Sequence, residues 1–211
     1  MTSYAVDSPT VLDVLGSRPK LRLLRYLSTH EGLFTGRALA QAAGVEAKRA
    51  AEALNELVGA GMVQRRRAGR AFLYSINRNS YVVDQILLPA FVNERDWLNR
   101  LGEEMLRSVP RIHSVVLYGS WAKKMANLES DVDLLLIASP NPKNRALRFQ
   151  ERIDEARGRL TERYGKPVSL LVLSRDEFRR RLRKRDALVR EIIAQGRVLA
   201  GSDLAEVLGR G

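Results

Sequence analysis

Two aspartates, Asp131 and Asp133, stand one residue apart within the stretch LYGSWAKKMANLESDVDLLLI, residues 117–137. The run DVDLLLIA predicts a buried strand, and residues two apart on a strand project from the same face. Two unpaired carboxylates held that close would repel each other and resist ionisation, whereas a divalent cation can be coordinated by both through hard oxygen ligands. The spacing therefore predicts a binding site for Mg²⁺ or Mn²⁺.

The residues before this pair predict a phosphate-binding turn. HSVVLYGS, residues 113–120, is typical of a strand that ends in Gly119-Ser120, and WAKKMANLES predicts a helical turn and a loop. Glycine lets a phosphate approach the backbone closely, and serine adds a hydroxyl to the backbone N–H groups of the turn. Because a cation on Asp131 and Asp133 would also attract phosphates, we predict that a nucleoside triphosphate binds at Gly119 and Ser120.

Together these residues resemble the motif of the polymerase beta-like nucleotidyltransferases: Gly-Ser or Gly-Gly, a spacer as long as residues 121–130, and Asp-x-Asp at the start of a strand. The nearest resemblance is to the minimal domains of prokaryotes, and it extends faintly over residues 111–211. It implies a mixed sheet with flanking helices, Asp131 and Asp133 as catalytic metal ligands, and a nucleoside triphosphate as ligand or substrate. Minimal domains of this type also serve as antitoxins, so a toxin-like protein partner is an alternative implication.

The chain departs from the family pattern at two places. Active minimal domains carry Arg-Gly after the alanine of the turn, where this chain has Lys123-Lys124; Lys123 remains a phosphate-binding cation but lacks the bidentate geometry of arginine. The family also places a third carboxylate on a later strand, and the matching position in KPVSLLVLS is Ser169. A serine cannot act as the base of a two-metal phosphoryl transfer. Asp176 and Glu177 follow that strand and are interpreted as solvated residues of a helix start.

The N-terminal part predicts a different domain. A first helix is predicted over residues 17–32, which have leucines at helical spacing. Two further helices joined by a tight turn are predicted from TGRALAQAAG and EAKRAAEALNELVGAG. A hairpin around Ala68-Gly69 is predicted from GMVQRRRAGRAFLYSIN. This order resembles a winged helix of small bacterial transcription regulators. The predicted fold class is α+β, with a winged helix-turn-helix domain at 1–80, a helical linker at 81–110 interrupted or kinked at Pro89, and a nucleotidyltransferase-like domain at 111–211.

Basic residues of the predicted winged helix mark a surface for double-stranded DNA. The first turn of the second helix of the pair carries Lys48 and Arg49, where a recognition helix meets the major groove. The hairpin carries four cations that would meet phosphates or the minor groove: Arg65, Arg66, Arg67 and Arg70. The alternative is a solvated basic turn in a domain that serves dimerisation or protein contact.

Composition agrees with polyanionic partners and limits the chemistry. The chain has 211 residues and a formal net charge of +12, from 36 Lys and Arg against 24 Asp and Glu. The absence of cysteine excludes disulfides, thiolate zinc sites and a thiol nucleophile. His30 and His113, the two histidines, are assigned structural roles. With no membrane-length apolar run and no basic leader before an apolar core, we expect a cytoplasmic protein with no membrane contact.

One basic stretch, RDEFRRRLRKRDALVR at residues 175–190, predicts a helix whose role is left open between a solvated face and a surface for RNA, DNA or an acidic partner.

Three hypotheses follow for the whole chain: a nucleotide-sensing DNA-binding regulator, a working nucleotidyltransferase that modifies a protein, RNA or small-molecule hydroxyl, and an antitoxin-type interaction module. Ser169 favours the first over the second. The sequence leaves the oligomeric state open, with a homodimer as one alternative.

Overall fold

The computed structural model describes residues 11, 14, 16–127, 129–139 and 146–209. The chain divides into two compact units, Met1–Arg95 and Asp96–Gly211. The class is α+β, as predicted.

The first unit is the predicted winged helix-turn-helix. Its elements are α1 (Arg18–Thr29), β1 (Phe34–Thr35), α2 (Gly36–Ala42), α3 (Ala47–Gly59), β2 (Val63–Ala68) and β3 (Ala71–Ile76). The strands form an antiparallel sheet in the order β1-β3-β2. Strand β1 has two residues, too few for an alternating pattern, and was not predicted.

Side chains at the helix starts explain where α2 and α3 begin. The hydroxyl of Thr35 accepts a hydrogen bond from the backbone N–H of Ala38 at 3.2 Å. The Glu46 carboxylate accepts two, from the N–H groups of Lys48 at 2.8 Å and Arg49 at 3.0 Å. Such contacts satisfy N–H groups that have no partner within the helix. The helices then bury one apolar core, which includes Leu23, Leu24, Leu27, Leu39, Leu54, Leu57, Met62 and Tyr74.

The predicted linker is helical, and the boundary between the units falls within it. A π-helical turn, Val82–Leu87, leads into α4 (Leu88–Ser108). The change of helix type comes next to Pro89, whose ring nitrogen cannot donate a backbone hydrogen bond. Residues of this region up to Arg95 belong to the first unit, and residues from Asp96 belong to the second.

The second unit is built on a four-stranded mixed sheet. In chain order its remaining elements are β4 (Ile112–Tyr118), α5 (Gly119–Ala122), β5 (Val132–Ala138), α6 (Ala146–Tyr164), β6 (Val168–Ser174), α7 (Arg175–Arg183), α8 (Ala187–Gln195), β7 (Arg197–Gly201) and α9 (Leu204–Val207). The strand order is β6-β5-β4-β7; β5 and β6 are parallel and the other pairs antiparallel. The parallel pair needs a long connection, which includes α6.

Each face of this sheet is covered by helices, so its central strands are apolar on both sides. On one face Val115, Leu117 and Leu134 pack against α4 and α6. On the other face Val116, Leu135 and Ile137 pack against Phe178 of α7 and against Val189 and Ile192 of α8. We call the second face the α7–α8 face.

Two predictions for the C-terminal part were wrong. Residues 175–190 form two helices rather than one, because α7 ends at Arg183 and Arg185 adopts a left-handed backbone with φ 58°. The sequence also predicts a closing helix that runs into GRVLAG, residues 196–201, but the helix ends at Gln195 and this segment contains the edge strand β7, which is held by pairing with β4. The stretch PKNRALRFQERIDEARGRLTERYG predicts a long helix, whose start at residues 142–145 lies outside the described residues. No helix in the described part of the chain is long and apolar enough to span a membrane.

Two helical glycines of the second unit should respond oppositely to alanine. A Cβ on Gly102 would overlap the side chain of Leu199, whereas a Cβ on Gly158 would meet nothing within 4 Å. Gly158→Ala should stabilise by about 0.5–1 kcal/mol through helix propensity. Gly102→Ala should be net destabilising, because overpacking costs about 1–3 kcal/mol against a similar propensity gain of about 1 kcal/mol.

Unfolding midpoints in denaturant measure both effects. Tryptophan fluorescence reports this unit, since the only two tryptophans, Trp97 and Trp121, both lie in it. Stabilisation by Gly102→Ala would contradict the packing described for α4 and β7.

Candidate nucleotide and metal site

The two aspartates lie at the start of the central strand β5. Asp131 immediately precedes the strand and is exposed, and Asp133 is its second residue and half-buried. Asp133 is paired in register with Tyr118, the last residue of β4, and with Ser169, near the start of β6. Three neighbouring strands therefore bring Tyr118, Asp133 and Ser169 side by side. Strand alternation from Leu135 places Asp133 on the α7–α8 face.

The turn after β4 approaches the second carboxylate so closely that only glycine fits. Gly119 has φ 70°, a conformation that side chains with a Cβ rarely adopt. A Cβ at this position would also overlap the carboxylate of Asp133. The backbone conformation thus favours the glycine predicted from the motif, and any Cβ here would displace the Asp133 carboxylate.

Burial and like charge both act on the aspartate pair. The pKa of Asp133 is raised above its ordinary value, first by burial and then by the nearby charge of Asp131. The pKa of Tyr118 is also raised, by burial and by Asp133. Two carboxylates and a neighbouring hydroxyl form a hard-oxygen donor set, which suits Mg²⁺ when phosphates and water complete the coordination. The residues present therefore fit such a cation.

Ser169 lies beside both aspartates, at the position where the resemblance to the family implies a third carboxylate. Its hydroxyl donates to Oδ2 of Asp131 at 3.4 Å, and its backbone lies opposite Asp133. Within residues 16–127, 129–139 and 146–209, no group of three or more His, Cys, Asp or Glu side chains converges as a metal site.

The two acidic residues after β6 are at the wrong end of the strand to replace Ser169. Asp176 and Glu177 follow Ser174, which is paired with Ala138 at the far end of β5. The five residue steps from Ser169 to Ser174 span roughly 16 Å of extended strand. Glu177 instead accepts a hydrogen bond from Arg181 at 2.8 Å. These two residues start α7, as predicted.

Hydrogen bonds and an aromatic contact hold the loop between the Gly-Ser turn and β5. The indole N–H of Trp121 donates to the carbonyl oxygen of Ser130 at 3.2 Å. The Ser130 hydroxyl accepts from the N–H of Asn127 at 2.9 Å and donates to its side chain at 3.0 Å. Trp121 also packs edge-on against Trp97, with ring centroids 5.1 Å apart. The loop therefore positions both ends of the motif.

The two lysines of the turn differ in their surroundings. Lys123 forms an ion pair of 2.8 Å with Glu191 of α8, so its ammonium group is partly compensated. Lys124 has φ 58° and closes α5 with hydrogen bonds from its own N–H to Trp121 and from Met125 to Ser120. Lys124 thus adopts a left-handed conformation that glycine adopts with least strain. Glycine is the usual residue at this position in active minimal domains.

Sequence reasoning missed two residues of this site. Tyr118 directly precedes Gly119, and its alternation with Val116 could have indicated that it shares a face with Asp133. Glu191 lies 68 positions from Lys123 along the chain, and no local pattern connects them.

The basic residues of the winged helix divide into engaged and free groups. Lys48 and Arg49 are exposed in the first turn of α3. Arg65 donates to Asn55 at 3.1 Å and lies over the Phe72 ring at 4.7 Å, and Arg67 donates to the carbonyl of Gly69 at 3.3 Å. The exposed side chains of Arg66 and Arg70 have no ion pair or hydrogen bond to any described residue.

A family model described as polymerase beta, nucleotidyltransferase matches residues 103–204. Those residues form a nucleotidyltransferase domain of this family. The match covers the strands, the Gly-Ser turn and both aspartates. No curated protein matches the chain.

Three solved structures each resemble a part of the chain. A toxin-antitoxin complex with AMP-PNP is 19% identical over 53% of this chain and 80% of that one, with a TM-score of 0.36. The antimony-specific transcriptional repressor AntR is 22% identical, over 42% of this chain and 77% of the repressor chain, also with a TM-score of 0.36. A homodimeric winged helix-turn-helix DNA-binding domain from Mycobacterium bovis is 26% identical, over 43% of this chain and 80% of that domain, with a TM-score of 0.35.

Removing the charge of Asp133 should stabilise the ligand-free nucleotidyltransferase domain. Because the folded-state pKa of Asp133 is raised, its ionised form is disfavoured in the folded protein, and the penalty grows as the pH rises through that pKa. Below the ordinary value of 3.8 both states are protonated and the penalty disappears. Asp133→Asn should therefore raise Tm near neutral pH without divalent cations, with a difference that shrinks toward acid pH.

Thermal unfolding between about pH 4 and pH 8 measures this difference. Asp176→Asn is the matched control, since it removes an exposed carboxylate from the first turn of α7 and should slightly lower Tm. A lower Tm for Asp133→Asn at neutral pH would refute the electrostatic description of the pair.

Proposed function

We propose that this protein is a DNA-binding, nucleotide-responsive transcriptional regulator, whose nucleotidyltransferase domain binds a nucleoside triphosphate with Mg²⁺ or Mn²⁺ and has weak or no transferase activity. One observation carries the proposal. The aspartate pair and the Gly-Ser turn are kept in register, while the neighbouring strand offers the Ser169 hydroxyl in place of a carboxylate.

The binding role rests on the donor groups at the start of β5. Asp131 and Asp133 would hold the cation, and Gly119 and Ser120 would face the phosphates. The bound cation would supply the positive charge that offsets two carboxylates and the phosphate oxygens. Lys123 would add a further cation by exchanging its contact with Glu191 for a phosphate oxygen.

Weak or absent transfer follows from the lack of a base beside the aspartates. A serine hydroxyl does not accept protons near neutral pH, and it contributes no negative charge to a second metal ion. The pKa of Tyr118 is raised, so its phenol stays protonated and is no substitute. A working nucleotidyltransferase remains the second candidate because the aspartate pair itself is intact.

Duplex DNA is the proposed partner of the winged helix. Lys48 and Arg49 open α3, and Arg66 and Arg70 extend from the hairpin without partners among the described residues. Since α3 presents few side chains suited to base readout, phosphate contacts would dominate the affinity. Nucleotide binding would alter DNA affinity only if it distinguishes two states of the protein.

Magnesium with a nucleoside triphosphate should raise the melting temperature of the protein. A ligand that binds only the folded state stabilises it, by about 2.7 kcal/mol at one hundred times the dissociation constant. Asp131→Asn combined with Asp133→Asn should abolish this shift. The readout is tryptophan fluorescence during heating, with each of the common nucleoside triphosphates in turn.

Two controls sharpen the result. The double variant should melt no lower than the unmodified protein without ligand, so that loss of the shift reports binding rather than misfolding. An unchanged ligand shift in the double variant would disprove the site. Robust transfer of labelled nucleotide by the unmodified protein to a protein, RNA or small-molecule acceptor would favour the transferase alternative.

Affinity for duplex DNA should fall steeply with salt, because each neutralised phosphate contributes a log-log slope of roughly −0.9. Changing Arg65, Arg66, Arg67 and Arg70 to alanine should flatten the slope by up to about 3 to 4 units, if each arginine meets one phosphate. Fluorescence anisotropy of a labelled duplex over a salt series measures the slope. Because Arg65 and Arg67 have local partners, Arg66→Ala with Arg70→Ala should account for at least half of the change.

Lys48→Ala with Arg49→Ala is the companion variant. It should act more on any preference between duplex sequences, since the first turn of α3 would face base edges. An affinity that is insensitive to salt and to the four wing changes would show that the winged helix is a protein-contact module. That outcome would promote the antitoxin-type alternative.

A further inference from the structure

We propose that a second basic surface, on the nucleotidyltransferase domain, binds the phosphate backbone of double-stranded nucleic acid without reading its sequence. The surface is residues 179–190, at the end of α7 and the start of α8, and we call it the basic segment. This inference goes beyond the proposed function, because it requires neither nucleotide binding nor the winged helix.

The composition of the basic segment differs from that of an ordinary solvated helix. It has seven basic residues, six of them arginine, and one acidic residue, Asp186. Helix α6 of the same domain is also rich in arginine, but its five basic residues are balanced by four acidic ones. The basic segment therefore carries a concentrated positive charge.

Ion pairs inside the domain compensate only part of this charge. Glu177 lies 2.8 Å from Arg181 and 4.0 Å from Arg180, and Arg179 donates to the carbonyl of Val207 at 3.0 Å. The Asp186 carboxylate accepts from the N–H of Val189 at 3.1 Å and so caps α8. Four exposed cations have no hydrogen bond or ion pair to any described residue: Arg183, Lys184, Arg185 and Arg190.

The backbone of Arg185 shows that local folding does not favour arginine at this position. Its φ of 58° ends α7, and its N–H bonds to the carbonyl of Leu182 at 3.0 Å. A non-glycine residue is strained in this left-handed conformation, and glycine is the usual residue in such a helix-ending turn. The turn directs Arg183, Lys184 and Arg185 into solvent between the two helices, where their charges are available to a partner.

The side chains on the segment indicate what kind of partner fits. Guanidinium groups bind phosphate oxygens in bidentate geometry, which favours an arginine-rich surface for phosphodiesters. The only aromatic residue of α7 and α8, Phe178, is fully buried, so no ring is available to stack on unpaired bases. A duplex presents one charge per roughly 1.7 Å and needs no stacking. Duplex DNA and duplex RNA share this chemistry.

The segment also belongs to the helical layer next to the candidate nucleotide site. Phe178, Val189 and Ile192 pack on the α7–α8 face of the sheet, on which Asp133 also lies. Glu191, which directly follows Arg190, contacts Lys123 of the Gly-Ser turn. A duplex held by the basic segment would thus lie on the side of the domain that carries the aspartates.

The test uses the full chain with Arg65, Arg66, Arg67 and Arg70 changed to alanine, so that wing contacts do not contribute. On this background, Arg183→Ala, Lys184→Ala and Arg185→Gly remove three charges, and glycine keeps the left-handed turn. Anisotropy over a salt series would use mixed-sequence duplex DNA, duplex RNA and single strands of equal phosphate number. The triple change should flatten the slope for both duplexes by up to about 3 units and weaken binding at least about tenfold at moderate salt.

A charge-matched control separates a local surface from net charge. Arg148→Ala, Arg152→Ala and Arg159→Ala remove three exposed charges from α6, which covers the opposite face of the sheet, and should change the slope by less than about 1 unit. Arg185→Lys should retain the affinity for duplexes that Arg185→Gly loses. Its Tm should be no higher than that of Arg185→Gly, since glycine suits the left-handed turn better. Equal losses in the α6 control, no loss in the triple variant, or tighter binding of single strands than of duplexes would each overturn the proposal.

Discussion

The candidate site depends first on the register of β5 between its two neighbours. Pairing with β4 brings Asp133 against Tyr118 and the Gly-Ser turn, and pairing with β6 brings it against Ser169. A slip of one residue would turn Asp133 into the apolar face that Val132 and Leu134 occupy. Because that face is buried against helices, the cost of burying a carboxylate there opposes the slip and favours the register in which Asp133 stays on the α7–α8 face.

That register creates an electrostatic cost at the end of the strand. Asp133 is half-buried, beside Asp131 and against a backbone turn that leaves no room for a Cβ. Burial and like charge both raise its pKa, so the ligand-free domain is less stable than its packing alone would allow. The proposed cation with bound phosphates would remove this cost and so stabilise the domain.

Local compensation separates cations that support the fold from cations that remain available. Lys123 is paired with Glu191, Arg65 with Asn55, and Arg181 with Glu177. By contrast, Arg70 at the hairpin and Arg185 between α7 and α8 have no such partner in the described part of the chain. Net charge therefore describes this protein poorly, because it does not distinguish cations that are paired within the fold, such as Lys123, from exposed cations such as Arg70 and Arg185.

Local patterns in the sequence were sufficient for most of the elements and for the central motif. Alternation and apolar runs identified β4, β5 and β6, helical spacing identified α1, and Gly119 with the paired aspartates identified the candidate site. These features depend on residues close in sequence, whose spacing specifies a strand, a helix or a turn directly. The assignment of Ser169 to the third position came from the resemblance to the nucleotidyltransferase motif, and the register of β6 places Ser169 opposite Asp133.

Contacts between distant residues were decided only by the tertiary structure. Strands β1 and β7 are short and exist because β3 and β4 offer them hydrogen bonds. The ion pair of Lys123 with Glu191 joins residues far apart in the chain. The break at Arg185 lets Phe178 of α7 and Val189 of α8 each reach the core. In every case the deciding energy comes from packing or pairing across the sheet, which no short stretch of sequence contains.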